Sequence, residues 1–594
     1  MCGIIGIITN SSAKLKALEQ LSKLEYRGYD SAGISVLENG CIKTYKSVGY
    51  IDKLKQLVTQ NQDNNTTAIA HTRWATHGKA TLTNCHPHLS NDSTWAVVHN
   101  GIIENYQTLK QNLLKSNIKL KSQTDSEVIP NLIKLSHEQS IFSLIDACKQ
   151  LKGSYALACI NKNLNNQMFV AKYNSPLYVA QTTDGVVVSS DIISFSGKAT
   201  QYYSLDNNEF AHINNNTITF YNIEGEIITK NATLLNSIAT NVELLDYNHF
   251  MLKEINQTPE LIKQVYEFYS NKNQTIDKLH KTLANINDIK FVACGTAYHS
   301  GLIGEKFFNK YLHINTSTYV ASEFVYDNLN ITNKTLCIFI SQSGETADTI
   351  SALKYAKTNG AICVALTNNT NSHLAQLSHY VLPILAGVEV AVASTKAYNC
   401  QCMCLYMLAL IFSNQDLSKI NSQINSLSLS LKNPNEALII DLAKKVKNYK
   451  QVFFIGRGID YVTSLESSLK LKEITYINSI ACQSGELKHG TLALIDKKSL
   501  VIVNITVPSL KEKSINALYE IKARGAQVIV LSPFVEIKNM LGSKDIFIDL
   551  NNLSQDYAHH LSVSLMQRLS YYVSVFKGIN PDKPRNLAKS VTVE

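Results

Sequence analysis

Short apolar, β-like runs recur through the first 240 residues, at 4–9, 33–37, 67–70, 94–99, 155–160, 168–172 and 186–189. Helical patterns interrupt them at 13–25, 106–117 and 126–136. Such a mixture predicts a layered α+β domain with largely antiparallel sheets, because each sheet must bury its apolar face against another layer. Around 235–256 the period is lost and polar residues dominate, which reads as a linker. From about residue 285 apolar strands alternate with longer helical stretches, the pattern of a doubly wound parallel sheet.

The second part repeats itself. The run 290–293 closing on Gly295 parallels 451–455 closing on Gly456, and 335–340 with a helix ending at Gly360 parallels 500–505 with a helix ending at Gly525. Residues 360–366 likewise match 525–531. An offset this constant predicts two copies of one α/β unit. The expected domains are 1–240, a linker and leading helix at 241–280, the two copies at 281–420 and 440–580, and a tail at 581–594.

Composition narrows the class. The chain has 594 residues, too many for one core, with 45% hydrophobic and 17% charged positions, as in a soluble globular protein. Its formal charge of +9 comes almost wholly from scattered lysines without interleaved aromatics, which argues against nucleic acid as a partner. The most apolar stretch, 381–393, contains Pro383, Gly387 and Glu389, so no membrane span and no signal segment is expected. Twelve cysteines without a secretion signal predict reduced thiols and a cytoplasmic location. Cys400, Cys402 and Cys404 do not share a helical face, and His71, His77, His86, His88 and His99 fit no zinc spacing, so neither metal nor cofactor is expected.

Chemistry collects at a few places. Cys2 becomes the first residue once Met1 is removed, and then carries a thiol beside an α-amine that titrates near pH 8. Arg73 stands out in a lysine-rich chain. It lies in His71-Thr72-Arg73-Trp74-Ala75-Thr76-His77-Gly78 at a strand-to-loop transition, where its planar fork suits a substrate carboxylate or a structural salt bridge. His99-Asn100-Gly101 closes a strand and offers a side-chain amide and an open backbone N–H, the two donors an oxyanion hole needs. Thr124-Asp125-Ser126-Glu127 reads as a helix start, by a capping box, or as a holder for an ammonium.

In the first α/β copy, Ser341-Gln342-Ser343-Gly344-Glu345-Thr346 lies between a strand and a helix, where hydroxyls, free N–H groups and the helix dipole favour phosphate. No GxxxxGK[ST] is present, which excludes a standard nucleotide loop. A second cluster is Val392-Ala393-Ser394-Thr395-Lys396. In the second copy Glu466, Lys470 and Glu473 share one helical face, either as a solvated ion-pair ladder or as a buried acid–base group. His489 sits in a Gly-flanked loop. The tail, with Pro581 and Pro584, cannot form a regular helix, and it carries Lys589.

Cys2-Gly3-Ile4-Ile5-Gly6, Tyr26-Arg27-Gly28-Tyr29-Asp30-Ser31-Ala32-Gly33, the Arg73 segment, His86-Pro87, His99-Asn100-Gly101 and Thr124-Asp125-Ser126-Glu127 resemble the class II glutamine amidotransferases. The resemblance implies an N-terminal-nucleophile (αββα) fold and glutamine hydrolysis by Cys2. It assigns the oxyanion hole to Asn100 and Gly101, and the glutamine carboxylate and ammonium to Arg73 and Asp125. Thr76, His77 and Gly78 would complete the pocket, with Trp74 as the gate of an ammonia channel. The remaining segments resemble the paired sugar isomerase (SIS) domains of the glucosamine-6-phosphate synthase family. That resemblance implies a homodimer through the SIS domains that uses glutamine and fructose 6-phosphate to make glucosamine 6-phosphate, without a cofactor. Cys294-Gly295-Thr296 with Ser341, Gln342, Ser343 and Thr346 would hold the phosphate, and Val392 and Ser394 would line the sugar site. Lys589 would form a Schiff base at C2, Glu473 would move the proton between C1 and C2, and His489 would open the ring, with Lys470 and Glu466 completing the site. Two positions depart from the family pattern: Thr491 replaces a proline and Val325 an arginine.

Two rivals lack their own marks. A phosphoribosyl-type or asparagine-forming amidotransferase would need a pyrophosphate-binding acidic motif or a Ser-Gly-Gly ATP loop, and neither is present. A non-catalytic sugar-phosphate sensor would keep neither Cys2 nor Lys589.

Overall fold

The computed structural model describes residues 2–58, 65–75, 77–136, 138–195, 197–235 and 243–592. The chain divides into two compact units, Met1–Val242 together with Ala588–Glu594, and Glu243–Leu587.

The first unit is built on two antiparallel sheets. One runs in the order Thr233–Leu234, Gln201–Ser204, Tyr178–Thr182, Gly185–Ser189, Gly3–Thr9, Thr67–Arg73, Ser31–Glu38, Cys41–Val48. The other runs Ile227–Ile228, Thr217–Tyr221, Glu209–Asn214, Gln167–Tyr173, Gly153–Asn161, Trp95–Ile103, His88–Leu89. Period-two alternation sorts the side chains into layers. On Gly3–Thr9, Ile4 and Ile8 join Ala96, Val98, Val170 and Val188 between the sheets. Ile5 and Ile7 instead pack on Ala13, Ala17 and Leu21 of the helix Ala13–Ser22. On Trp95–Ile103, Trp95 and Val97 face Leu109, Leu113 and Ile129 of the helices Tyr106–Lys115 and Val128–Leu135. The result is the expected α-β-β-α stack.

The second unit opens with the helix Phe250–Ser270 and contains two parallel sheets. The first runs Asn315–Val320, Asp288–Ala293, Thr335–Ser341, Ile362–Thr367, Tyr380–Pro383, and the second Asn478–Gln483, Gln451–Gly456, Leu500–Asn504, Gln527–Ser532, Ile546–Asp549. Both have strand order 2-1-3-4-5, so the sequence repeat is a repeat of topology. The helices Lys396–Phe412 and Gln555–Phe576 are buried almost all round and join both copies in one core. Cys400, Cys402 and Cys404 lie in that core with 0% exposure, and burial pushes the Cys404 thiol up to about 12.

Phe250–Ser270 begins inside the region whose polar pattern predicts linker, and it accommodates Pro259. Its start is secured by Asp582, whose carboxylate accepts the Phe250 and Met251 N–H groups at 2.8 Å each. A cap supplied from so far along the chain leaves no local signal.

Candidate active sites

In the first unit, adjacent antiparallel strands bring Cys2 beside the end of Thr67–Arg73. The Trp74 N–H donates to Cys2 Sγ at 3.3 Å, and the Sγ lies 3.6 Å from the Trp74 carbonyl oxygen. Asn100 Nδ2 donates to the Cys2 carbonyl at 2.9 Å. Burial pushes the Cys2 thiol up, while the Trp74 N–H and the Arg73 and Arg27 charges pull it down. The thiol is therefore protonated at neutral pH and needs a base to become a nucleophile.

Asn100 is held in turn. His71 Nε2 lies 3.1 Å from Asn100 Oδ1 and 3.0 Å from the His99 carbonyl oxygen. Both partners are acceptors, so the hydrogen is assigned to Nε2, and this fixes the Asn100 amide with its nitrogen toward Cys2. Burial holds His71 down at about 3 and His86 and His88 well below the usual imidazole range. His71 stacks on His86 at 4.2 Å and His86 contacts His88 at 4.5 Å. This is a neutral imidazole stack behind Asn100. Gly101 has φ +132°, and a Cβ there would lie 2.0 Å from the Ser154 carbonyl oxygen.

Arg73 is buried, and its guanidinium donates to the carbonyls of His77, Gly78 (3.2 Å) and Lys79 (3.5 Å). The fork thus shapes the loop carrying His77 and Gly78; Thr76 lies outside the described residues. Asp125 Oδ2 accepts the Ile103 N–H at 2.7 Å, which places the carboxylate beside the strand carrying Asn100 and Gly101. Glu127 accepts the Lys121 and Ser122 N–H groups instead of forming a capping box, and the helix starts at Val128. Asn84 joins the two loops, with Nδ2 to the Lys79 carbonyl (2.9 Å) and Oδ1 from the Gln123 N–H (2.9 Å). Its sequence context carries no motif.

In the second unit, Thr296 and the loop Ser341–Thr346 follow the carboxyl ends of the adjacent strands Asp288–Ala293 and Thr335–Ser341, where the strand order reverses and open α/β sheets hold ligands. Ser341 and Thr346 hydroxyls bond each other at 3.0 Å, and Ser341 Oγ accepts the Gly344 N–H at 3.0 Å. Thr346 makes no side-chain cap on Ala347–Thr358. Gly344 has φ +69°, and a Cβ would fall 1.9 Å from Ser372 Oγ, so this turn requires glycine. Ser343 Oγ accepts the Glu345 N–H at 3.1 Å, and the Gln342 carbonyl accepts from Asn368 N–H at 3.2 Å.

Beside this cradle lies a buried ion cluster. Glu466 and Lys470 have 0% side-chain exposure, while Glu473 at the outer end is 19% exposed. Lys470 Nζ lies 2.6 Å from Glu473 and 3.5 Å from Glu466, and donates to Thr296 Oγ1 at 2.9 Å. Thr296 donates to Glu466 Oε1 at 3.2 Å, and His299 Nδ1 meets Glu466 Oε2 at 2.7 Å. Burial works to lower the Lys470 ammonium, but Glu473, Glu466 and Glu389 outweigh it and hold the lysine charged. Glu389 accepts the Ser394 hydroxyl (2.9 Å) and the Thr395 and Ala397 N–H groups. In the sequence Glu389 is only a break in an apolar stretch; in the structure this buried charge anchors the loop. Val392 is buried and donates its N–H to the Asp582 carbonyl at 3.0 Å.

His489 is exposed on the turn Leu487–His489, and among the described residues no side-chain hydrogen bond ties it to the ion cluster. Lys589 is half-buried in the segment Ala588–Glu594, which belongs to the first compact unit. Thr491 replaces the proline's rigidity with a hydroxyl donated to Cys482 Sγ at 3.4 Å.

Comparison with known proteins agrees with both halves. A glutamine amidotransferase domain matches residues 71–196, and an SIS domain matches 282–411 and 445–536. The chain is 39% identical to glutamine–fructose-6-phosphate aminotransferase [isomerizing] of Clostridium acetobutylicum and 40% identical to that of Caldanaerobacter subterraneus subsp. tengcongensis, over 100% of each chain. The solved C-terminal domain of glucosamine-fructose-6-phosphate aminotransferase from Francisella tularensis is 30% identical, with a TM-score of 0.53, covering 57% of this chain and 99% of its own. A putative tagatose-6-phosphate ketose/aldose isomerase from Clostridium novyi NT shares the fold at 18% identity and TM-score 0.51, covering 58% of this chain and 93% of its own.

Proposed function

We propose how the two units divide one reaction, from the premise that this chain belongs to the isomerising glutamine–fructose-6-phosphate aminotransferase family. It converts fructose 6-phosphate and L-glutamine to glucosamine 6-phosphate and L-glutamate. In the first unit Cys2 attacks the glutamine carboxamide carbon, with its own α-amine as the base once Met1 is removed. Asn100 Nδ2 and the Gly101 N–H take up the oxyanion charge, ammonia leaves, and water hydrolyses the thioester to glutamate. Arg73 and Asp125 receive the two charged ends of glutamine, with Trp74, Thr76, His77 and Gly78 around them.

In the second unit Thr296, Ser341, Gln342, Ser343 and Thr346 bind the phosphate, and Val392 and Ser394 line the sugar. His489 assists ring opening. Lys589 condenses with C2 and releases water; ammonia then displaces the lysine. Glu473 removes a proton from C1 and returns it to C2, and Lys470 and Glu466 hold Glu473 in place. The observations that support this division are Cys2, with its thiol accepting the Trp74 N–H and its carbonyl accepting from Asn100 Nδ2, in one unit, and a Glu–Lys–Glu cluster around buried Lys470, tied to Thr296, in the other.

The reading includes a homodimer through the SIS domains. It also places the enzyme in the cytoplasm, where its twelve free thiols would stay reduced. Among the described residues no helix is long and apolar enough to cross a membrane. Replacing Cys2 with alanine separates the halves: glutamine-dependent glucosamine 6-phosphate formation is lost, and phosphosugar isomerisation remains. Synthesis from glutamine at the wild-type rate in that variant would sink the reading.

A further inference from the structure

The loop that carries Val392 and Ser394 is held from three sides, and one of its supports is the C-terminal segment. Asp582 Oδ2 accepts the Phe250 N–H and Oδ1 the Met251 N–H, so this carboxylate caps the helix Phe250–Ser270. The residue in the cap position, His249, makes no side-chain capping bond; its ring meets the Tyr571 hydroxyl at 3.1 Å instead. The backbone of Asp582 also accepts the Val392 N–H at 3.0 Å. One turn into the same helix, buried Glu254 Oε1 accepts the Val390 and Ala391 N–H groups. Asp582, the helix, Glu254 and residues 390–392 thus close a ring of hydrogen bonds.

The segment is tied a second time three residues later. The Arg585 N–H donates to the Tyr476 hydroxyl at 2.7 Å, and the Arg585 guanidinium lies 4.2 Å from the Tyr476 ring centroid. Tyr476 ends the helix Ile459–Thr475, which bears Glu466, Lys470 and Glu473. Residues 582–585 therefore run as a strap between the sugar-lining loop and the acid–base helix, and Lys589 follows four positions on.

We infer that Asp582 is a positioning residue for aminotransfer: it sets the Val392 backbone and with it the loop that carries Ser394. This rests on the reading of Val392 and Ser394 as sugar-site residues. An asparagine here would turn an N–H2 toward a backbone N–H and keep one of the two bonds; an alanine would keep neither.

The test uses the full-length chain and measures glutamate released, glucosamine 6-phosphate formed, and unfolding temperature. For Asp582→Asn, glucosamine 6-phosphate formed per glutamate released should fall about 10-fold or more, with a raised KM for fructose 6-phosphate. An unchanged ratio overturns the inference, including the case in which both products fall together with the unfolding temperature. Should that variant fail to fold, Tyr476→Phe loosens the same strap at its other tie and is judged by the same ratio. A wild-type chain that makes no glucosamine 6-phosphate would instead defeat the functional reading itself.

Discussion

Single buried groups set the chemistry here through what they deny their neighbours. His71 holds Asn100 by donating Nε2–H to its amide oxygen, and burial keeps the imidazole neutral. Replacing it with leucine frees the Asn100 amide to rotate. Glutamine hydrolysis should then drop about 100-fold, the usual cost of one oxyanion donor, with phosphosugar isomerisation unchanged. Asp460 acts in the second α/β copy, where its carboxylate accepts the Thr506 N–H at 2.8 Å and hydroxyl at 2.5 Å. Burial raises it to about 6 despite those bonds, above its unfolded value near 4. The native state therefore binds the extra proton between these values, and stability falls as pH rises from about 4 to about 6, by roughly 3 kcal/mol in total. Chemical denaturation of the wild type and Asp460→Asn across that window should show the wild type losing roughly 3 kcal/mol more than the variant as pH rises.

Among the secondary elements, the two α/β copies share topology and differ at the loop after the third strand. The first copy presents Ser341, Ser343 and Thr346 ahead of a 12-residue helix with no side-chain cap. The second places Thr506 and Pro508 there and engages Thr506 with Asp460, an anion supplied by the protein itself. The proposed phosphate site thus belongs to one copy. Ser341→Ala removes a hydroxyl that also orders Gly344, and the KM for fructose 6-phosphate should rise about 10-fold, worth about 1.4 kcal/mol, with glutamine hydrolysis retained. Hydroxyl clustering made this cradle readable in the sequence. The start of Phe250–Ser270 was not readable, because its cap comes from Asp582.

For the whole molecule, the apolar clusters predict how it comes apart. Three clusters lie within the first unit; in the second, each α/β copy has a cluster of its own, and the largest cluster spans both. Calorimetry should therefore resolve two cooperative transitions, not three, with Asp460→Asn moving one and His71→Leu the other. Three transitions would show that the copies unfold separately. Much of this organisation follows from the chain alone. Apolar period determined the layers and the doubled unit, since a strand or helix must bury its own stripe wherever it sits. Local motifs marked Cys2, Asn100, Arg73 and the phosphate loop, because turns and helix starts are written in adjacent residues. Only the tertiary structure decided that Glu466 and Lys470 are buried, that His71 aligns Asn100, and that Glu389, Glu254 and Asp582 hold the loop of Val392 and Ser394. Those facts depend on solvent exclusion and on partners far apart in the chain, neither of which has a period or a spacing to read.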